Sequence, residues 1–222
     1  MECKKSTFMA ELVGTFALIF IGAGAVSCQA WSLGAVSLVG IALAHGLVIA
    51  AMIYTFGHIS GTHINPAVTV SMVVTKKMDP GTGVMYIVAQ LLGAVIAAFA
   101  LRAIFPGLPN DLGATDLAGG VSVTRGLLVE GFLTFLLVTV IFGAAVDDRA
   151  SKGFAGLAIG ATIVVDILMG GPVTGAAMNP ARSFGPAIAS GHFSNHWVYW
   201  AGPIAGGIVA GLLNLAVFCK KQ

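Results

Sequence analysis

The chain has 222 residues, of which 57% are hydrophobic and 9% charged, and its formal net charge is +2. Soluble domains carry about 25% charged residues, so this composition excludes an ordinary soluble domain and indicates a protein of the lipid bilayer. The basic residues form no patch or stripe, which argues against nucleic acid as a partner.

Six apolar segments follow one another along the chain, each bounded by glycine, proline or charge. They are Phe8–Cys28, Val36–Phe56, Gly83–Phe105, Gly126–Val146, Phe154–Met169 and His196–Phe218. A transmembrane helix needs ~20 mostly apolar residues, so the pattern predicts six spans and an all-α membrane fold. Glu11 interrupts the first apolar run, which favours a span over a cleaved signal peptide.

Eight of the 11 basic residues lie at the two termini and in alternate loops. They are Lys4, Lys5, Lys76, Lys77, Arg149, Lys152, Lys220 and Lys221, whereas Arg102, Arg125 and Arg182 are predicted on the other side. Lysine and arginine favour the cytoplasmic side of short loops. We therefore predict cytoplasmic termini, a cytoplasmic Asp147–Lys152 loop and an external Pro106–Thr124 loop. The predicted location is the cell membrane.

The second half of the chain repeats the first. Three segments recur in the same order: Glu11–Phe16 as Glu130–Phe135, Ser60–Ala67 as Thr174–Ala181, and Tyr86–Gly93 as Tyr199–Gly206. Each half holds three spans, so the second half enters the bilayer from the opposite face, as in inverted-repeat transporters. The sequence thus predicts a single domain over residues 1–222, with repeats of approximately 7–105 and 125–219.

Asn-Pro-Ala occurs once in each half, at Asn65–Ala67 and Asn179–Ala181. Asparagine is a favoured N-cap and proline suits the first helical position, so each motif is predicted to begin a helix. The helices that follow, Asn65–Val74 and Asn179–Ala189, have the length of about ten residues, or ~15 Å. This is half of a ~30 Å hydrocarbon core. The two positive N-terminal ends are therefore expected to meet at the midplane beside one narrow path.

The residues around both motifs make the chain resemble the aquaporin, or major intrinsic protein, family over essentially its whole length. The matching segments are His58–Thr69 and Asn179–Pro186. The resemblance implies six transmembrane helices with two re-entrant half-helices, and a homotetramer with one pore per subunit. It implies a passive channel for water that excludes protons and ions. The pore midplane would be formed by Asn65, Pro66, Ala67, Asn179, Pro180 and Ala181.

The resemblance also implies a second constriction, the selectivity filter. Its residues would be His45, Ile167, Ala176 and Arg182. This set departs from the strict water channels and is similar to the plant vacuolar (tonoplast) subgroup, whose filters are wider. Ser183, Ala187 and Tyr199-Trp200 nevertheless resemble the water branch rather than the glycerol facilitators. Glycerol, ammonia, hydrogen peroxide and carbon dioxide remain candidate permeants, and a packed His45 off the pore remains the alternative for that residue.

Two further sets of residues follow from the resemblance. The carbonyls that line the pore would belong to Gly61, Thr62, His63, Gly175, Ala176 and Ala177. Glu11 and Glu130 occupy equivalent places in the repeat, and the resemblance implies that they accept hydrogen bonds from the two re-entrant loops. A proton relay is the alternative for these two carboxylates. Asp166 and the three cysteines receive no role.

The sequence contains no phosphate-binding loop, metal-ligand cluster or nucleophile–base pair, so no enzyme activity, metal or cofactor is predicted. A proton-coupled secondary transporter would also use inverted repeats and broken helices. Such coupling needs a titratable group at the midplane, where this chain has Asn65 and Asn179. A junction protein of the same fold is a third alternative.

Overall fold

Apolar segments and helix caps produce eight α-helices in the computed structural model, which describes residues 2–108 and 111–218. The helices are α1 Glu2–Trp31, α2 Ser37–Ser60, α3 Pro66–Val74, α4 Pro80–Ile104, α5 Val123–Ile141, α6 Ala155–Thr174, α7 Pro180–Ser190 and α8 Val198–Leu213. Helices α5 and α8 each continue into a π-helical turn, Phe142–Val146 and Asn214–Phe218. Within the described residues, six helices are long and apolar enough to cross a membrane. This confirms the prediction of an all-α fold with six spans.

The two remaining helices, α3 and α7, are the short ones that the Asn-Pro-Ala motifs predict. Each begins at proline, and the preceding asparagine accepts a hydrogen bond from the backbone N–H two residues later, at 2.9 Å in both cases. They have 9 and 11 residues, too few to cross a bilayer. Asparagine therefore caps each half-helix, and proline at the first position costs no hydrogen bond.

Glycines allow the long helices to cross closely. A Cβ atom at Gly46 of α2 would lie 2.4 Å from the carbonyl oxygen of Gly160 in α6, and one at Gly206 of α8 would lie 2.0 Å from that of Gly131 in α5. A side chain at either place would force the backbones apart. These glycines therefore pack helices against one another within the chain.

The fifth span runs further than the sequence predicts. Gly170, Gly171 and Pro172 suggest an end at Met169, but α6 continues to Thr174. It ends only at Gly175, which has a φ of 80° and donates its N–H to the carbonyl of Gly171 at 3.0 Å. A left-handed glycine is a common helix terminator. Pro172 lies within the last turn, where its missing N–H removes one helical hydrogen bond, that to the carbonyl four residues earlier.

Described basic residues of the N-terminus and of one loop make contacts near the ends of helices. Lys4 interacts electrostatically with Asp79, which precedes α4. The Arg149 guanidinium donates hydrogen bonds to Asp147 and to the carbonyl of Phe218. Part of the predicted charge pattern, Lys220 and Lys221, lies outside the described residues, as do Pro109, Asn110 and Cys219.

Candidate pore and selectivity filter

A cavity of about 840 Å³ runs between the two halves of the chain. Lys77, Asp147 and Lys152 line it. Asn65, Asn179 and Arg182 also line it. The two loops that precede the half-helices therefore form part of the wall of one continuous space.

Glu11 holds the loop before α3. The side chain is fully buried, and its carboxylate accepts hydrogen bonds from the backbone N–H groups of His63 at 2.9 Å and Ile64 at 2.7 Å. The Ser60 hydroxyl and the Gln90 side-chain amide donate to the same carboxylate at 2.7 and 2.8 Å. Irregular backbone at membrane depth needs such internal partners, since lipid supplies none.

Glu130 holds the loop before α7 in the same way. It accepts hydrogen bonds from the N–H groups of Ala177 at 3.0 Å and Met178 at 2.7 Å, and from the Thr174 hydroxyl at 2.7 Å. A tyrosine completes this arrangement, because the Tyr199 hydroxyl donates to the Thr174 carbonyl at 2.8 Å. The second half thus repeats the hydrogen bonds of the first, except for the one from Gln90, whose place in the repeat is taken by Pro203.

The direction of these N–H groups determines where the loop carbonyls point. In a trans peptide the N–H and the preceding C=O lie on opposite sides of the plane, and none of the described peptide bonds is cis. N–H groups that face the glutamates therefore turn the preceding carbonyls toward the cavity. This applies to four of the six predicted carbonyls, those of Thr62, His63, Ala176 and Ala177. Of the six predicted residues, all except Gly175 line the cavity.

Each asparagine also reaches across to the opposite half. The Asn65 amide donates to the Met178 carbonyl at 2.9 Å, and the Asn179 amide donates to the Ile64 carbonyl at 2.8 Å. These bonds hold the two half-helices end to end at the middle of the cavity. A side-chain amide has two N–H groups, so each asparagine keeps one donor beyond this bond. Their proline and alanine neighbours are buried behind the wall.

The structure brings the four predicted filter residues together on the cavity wall. Arg182 is 4% exposed and donates from Nη1 to the Gly113 carbonyl at 2.7 Å. His45 is also 4% exposed, and its Nδ1 lies 2.9 Å from the Ile41 carbonyl. Nε of Arg182 and Nε2 of His45 have no hydrogen-bond partner within the described part of the chain. Ile167 and Ala176, which line the same cavity, contribute apolar side chains.

The loop between α4 and α5 contributes contacts that the sequence does not predict. Gly113, which holds Arg182, belongs to a loop tied to the segment after α7, where His192 lies 3.2 Å from Asp111 and 2.9 Å from Asp116. Although partial burial opposes it, hydrogen bonds from Leu117 and other neighbours lower the pKa of Asp116. No local pattern signals these contacts, because they join residues far apart in the chain.

Asp166 precedes Ile167, a predicted filter residue, but is not among the residues that line the cavity. It is 2% exposed, and Oδ2 lacks a hydrogen-bond partner among the described residues. The carboxylate is therefore buried within the chain rather than in a vestibule.

The chain is similar to known proteins. The chain matches the family described as Major intrinsic protein over residues 2–214. It is 42% identical to Aquaporin NIP1-1 of Zea mays, over 96% of this chain and 75% of the relative. It is 45% identical to Aquaporin-4 of Mus musculus, over 95% of this chain and 66% of the relative.

The chain belongs to the major intrinsic protein family. A solved structure agrees: the aquaglyceroporin from Plasmodium falciparum superposes with a TM-score of 0.88 and 26% identity, covering 97% of both chains. This major intrinsic protein is accordingly a passive membrane channel for water and not an enzyme, which confirms the function predicted from the sequence. The likeness of its filter to the tonoplast subgroup stays a prediction.

Proposed function

We propose that the channel conducts small uncharged solutes as well as water, through a filter formed by His45, Ile167, Ala176 and Arg182. The observation that carries this proposal is that two polar side chains and two aliphatic ones line the same cavity. Pore diameter and the polar groups that line it determine which solutes pass. A solute with hydroxyl groups and an apolar carbon backbone could form hydrogen bonds with the polar side chains and apolar contacts with the aliphatic ones. The similar Plasmodium falciparum protein is an aquaglyceroporin, which favours glycerol as one such solute.

Water would pass in single file along the loop carbonyls and the asparagine amides. Hydrogen bonds to the wall replace those that each molecule loses on leaving bulk water, so the desolvation penalty is small. Cations would meet Arg182 and the two positive half-helix ends. In aquaporin-type pores, such an arginine and the half-helix dipoles exclude protons and cations.

Flux measurements test the wider filter. We expect proteoliposomes with the parent protein to show fast water flux with a low activation energy, and slower but detectable flux of glycerol or ammonia. His45→Phe with Ile167→His should suppress the second solute and keep the water flux, because a larger aromatic and a second polar group replace the imidazole and the aliphatic wall. If the parent passes water alone and the double variant behaves identically, the filter is that of a strict water pore. Little or no water flux would indicate a transporter instead.

The same assay with mercuric chloride examines the Ala176 position. Mercury blocks by binding a thiol, and alanine offers none. Water flux should therefore resist mercury unless one of the three cysteines contributes. Cys28 is a free thiol within the described residues, so Cys28→Ser is the control for any partial block.

We propose that both termini and the Asp147–Lys152 loop face the cytoplasm of the cell membrane. The support is the distribution of the basic residues along the chain. Lys77 and Lys152 lie at the same mouth of the cavity, and Arg149 contacts the carbonyl of Phe218. Gly113, on the loop between α4 and α5, contacts Arg182 on the opposite side of the midplane.

Cysteine labelling in intact cells tests this orientation. In a variant without the native thiols, a membrane-impermeant maleimide should modify Gly119→Cys and spare Lys152→Cys. Gly119 is exposed, and a Cβ atom there would meet nothing within 4 Å, so the substitution should be tolerated. The reverse labelling pattern would invert the orientation.

We also propose that residues 1–222 form one channel domain and that four copies assemble with one pore per subunit. The family resemblance supports the tetramer. The cavity lies between the two halves of one chain, so each subunit would contain its own pore.

A further inference from the structure

The position of the His45 ring in the filter depends on a neighbour in α1. Its Nδ1 lies 2.9 Å from the Ile41 carbonyl, an acceptor, so Nδ1 carries the proton and Nε2 is the free acceptor. Nε2 is buried and has no partner among the described residues. The imidazole is therefore held at one nitrogen by its own helix, while its other edge depends on what packs against it.

Gly22 of α1 packs against the Cδ2–Nε2 edge of the His45 ring. A Cβ atom at Gly22 would lie 2.5 Å from both Cδ2 and Nε2 of His45 and 3.0 Å from Cε1. Carbon atoms in contact prefer about 3.5–4.0 Å, so even one methyl group does not fit. Gly22 lies inside the 30-residue helix α1, where glycine costs about 1 kcal/mol relative to alanine. A close approach by a neighbouring group explains why glycine is present there.

We propose that Gly22 is a specificity-determining residue of the channel, because the recess it leaves in α1 receives the His45 imidazole and so sets the width of the filter. This inference rests on the proposed filter role of His45. In the sequence, Gly22 is only one small residue of an apolar span. Its function is visible only when α1 and α2 are packed together.

The expected displacement follows from the same distances. With alanine at this position, the imidazole edge has to move by about 1 Å to regain a normal carbon contact. The bond from Nδ1 to the Ile41 carbonyl restrains the rest of the ring, and α1 blocks movement backward. The open space beside the ring is the cavity, which His45 lines. Alanine should therefore push the imidazole into the lumen and narrow the filter, with a larger effect on solutes wider than water.

Four variants test this in proteoliposomes with water and glycerol: Gly22→Ala, His45→Ala, both together, and Gly24→Ala as the control. At Gly24 the added Cβ would meet only the flexible tip of Leu101, at 3.2 Å. We expect Gly22→Ala to reduce glycerol flux relative to water by at least about tenfold, equivalent to about 1.4 kcal/mol in barrier height. Gly24→Ala should leave the ratio unchanged. In the His45→Ala background, adding Gly22→Ala should have no further effect, because the ring it displaces is gone.

The outcomes separate this inference from the proposed function. If the parent protein passes no glycerol, the proposal of a wide filter is contradicted. Water flux then tests Gly22: Gly22→Ala should reduce it in the parent background and leave it unchanged in the His45→Ala background. Equal effects of Gly22→Ala in both backgrounds, or no effect in either, would overturn the role of Gly22. If Gly22→Ala alone does not fold, the double variant should fold again, since the clash is relieved. A double variant that also fails to fold would equally overturn it.

Discussion

Replacing Asn179 with aspartate is expected to make the channel leak cations, while the parent leaks none. Aspartate caps a helix as well as asparagine does, so α7 should still begin at Pro180. The new carboxylate would lie beside the two positive half-helix ends and offset them. A unit charge at ~4 Å contributes about 4 kcal/mol at an effective dielectric constant of 20, which corresponds to roughly a thousandfold in the rate of cation passage.

Asn179→Ser is the matched control. Serine also caps a helix and also loses the amide bond to the Ile64 carbonyl, but it adds no charge. Proteoliposomes with an imposed potassium diffusion potential and an internal pH or sodium dye would measure the leak. We expect leak with aspartate and none with serine. Equal leak in the parent, Asn179→Ser and Asn179→Asp, with all three folded and inserted, would remove Asn179 from the path of ions.

The parts of the structure that depend on residues adjacent in the sequence, or on the internal repeat, could be predicted from the sequence. Asn-Pro begins a helix whatever surrounds it, so the starts of α3 and α7 fall at Pro66 and Pro180 as expected. The repeat predicts that Glu11 and Glu130 act alike, and each accepts hydrogen bonds from the loop of its own half. Local chemistry and internal duplication supply these predictions without any knowledge of packing.

The parts that depend on packing could not be predicted. The carbonyl that holds Arg182 belongs to Gly113, 69 residues away along the chain. The recess behind His45 exists because Gly22 has no side chain. In the sequence, a glycine inside an apolar span is equally compatible with close helix packing and with a role beside a filter. The predicted end of α6 is also wrong. Gly170, Gly171 and Pro172 resemble a helix end in the sequence, but the helix continues through them and ends at Gly175.

Replacing Glu11 or Glu130 with glutamine is expected to destabilise the folded channel, and this separates loop anchoring from a proton relay. The Glu11 carboxylate accepts four hydrogen bonds, from two backbone N–H groups and two side chains. Glutamine offers one acceptor oxygen and an NH₂ group that would face other donors. Each buried donor left unsatisfied costs about 1–3 kcal/mol, and stabilities of folded proteins are only about 5–15 kcal/mol.

We therefore expect Glu11→Gln and Glu130→Gln each to lower the unfolding temperature in detergent and the yield of inserted protein, with Glu11→Ala more severe. Asp148→Ala is the control, since this carboxylate is exposed and surface substitutions usually change stability by less than about 0.5 kcal/mol. A relay requires only that the group titrate, so a relay role predicts normal stability for the glutamine variants. Glutamine variants that unfold like the parent, and lose a proton-dependent flux that the parent shows, would establish the relay and refute the anchor.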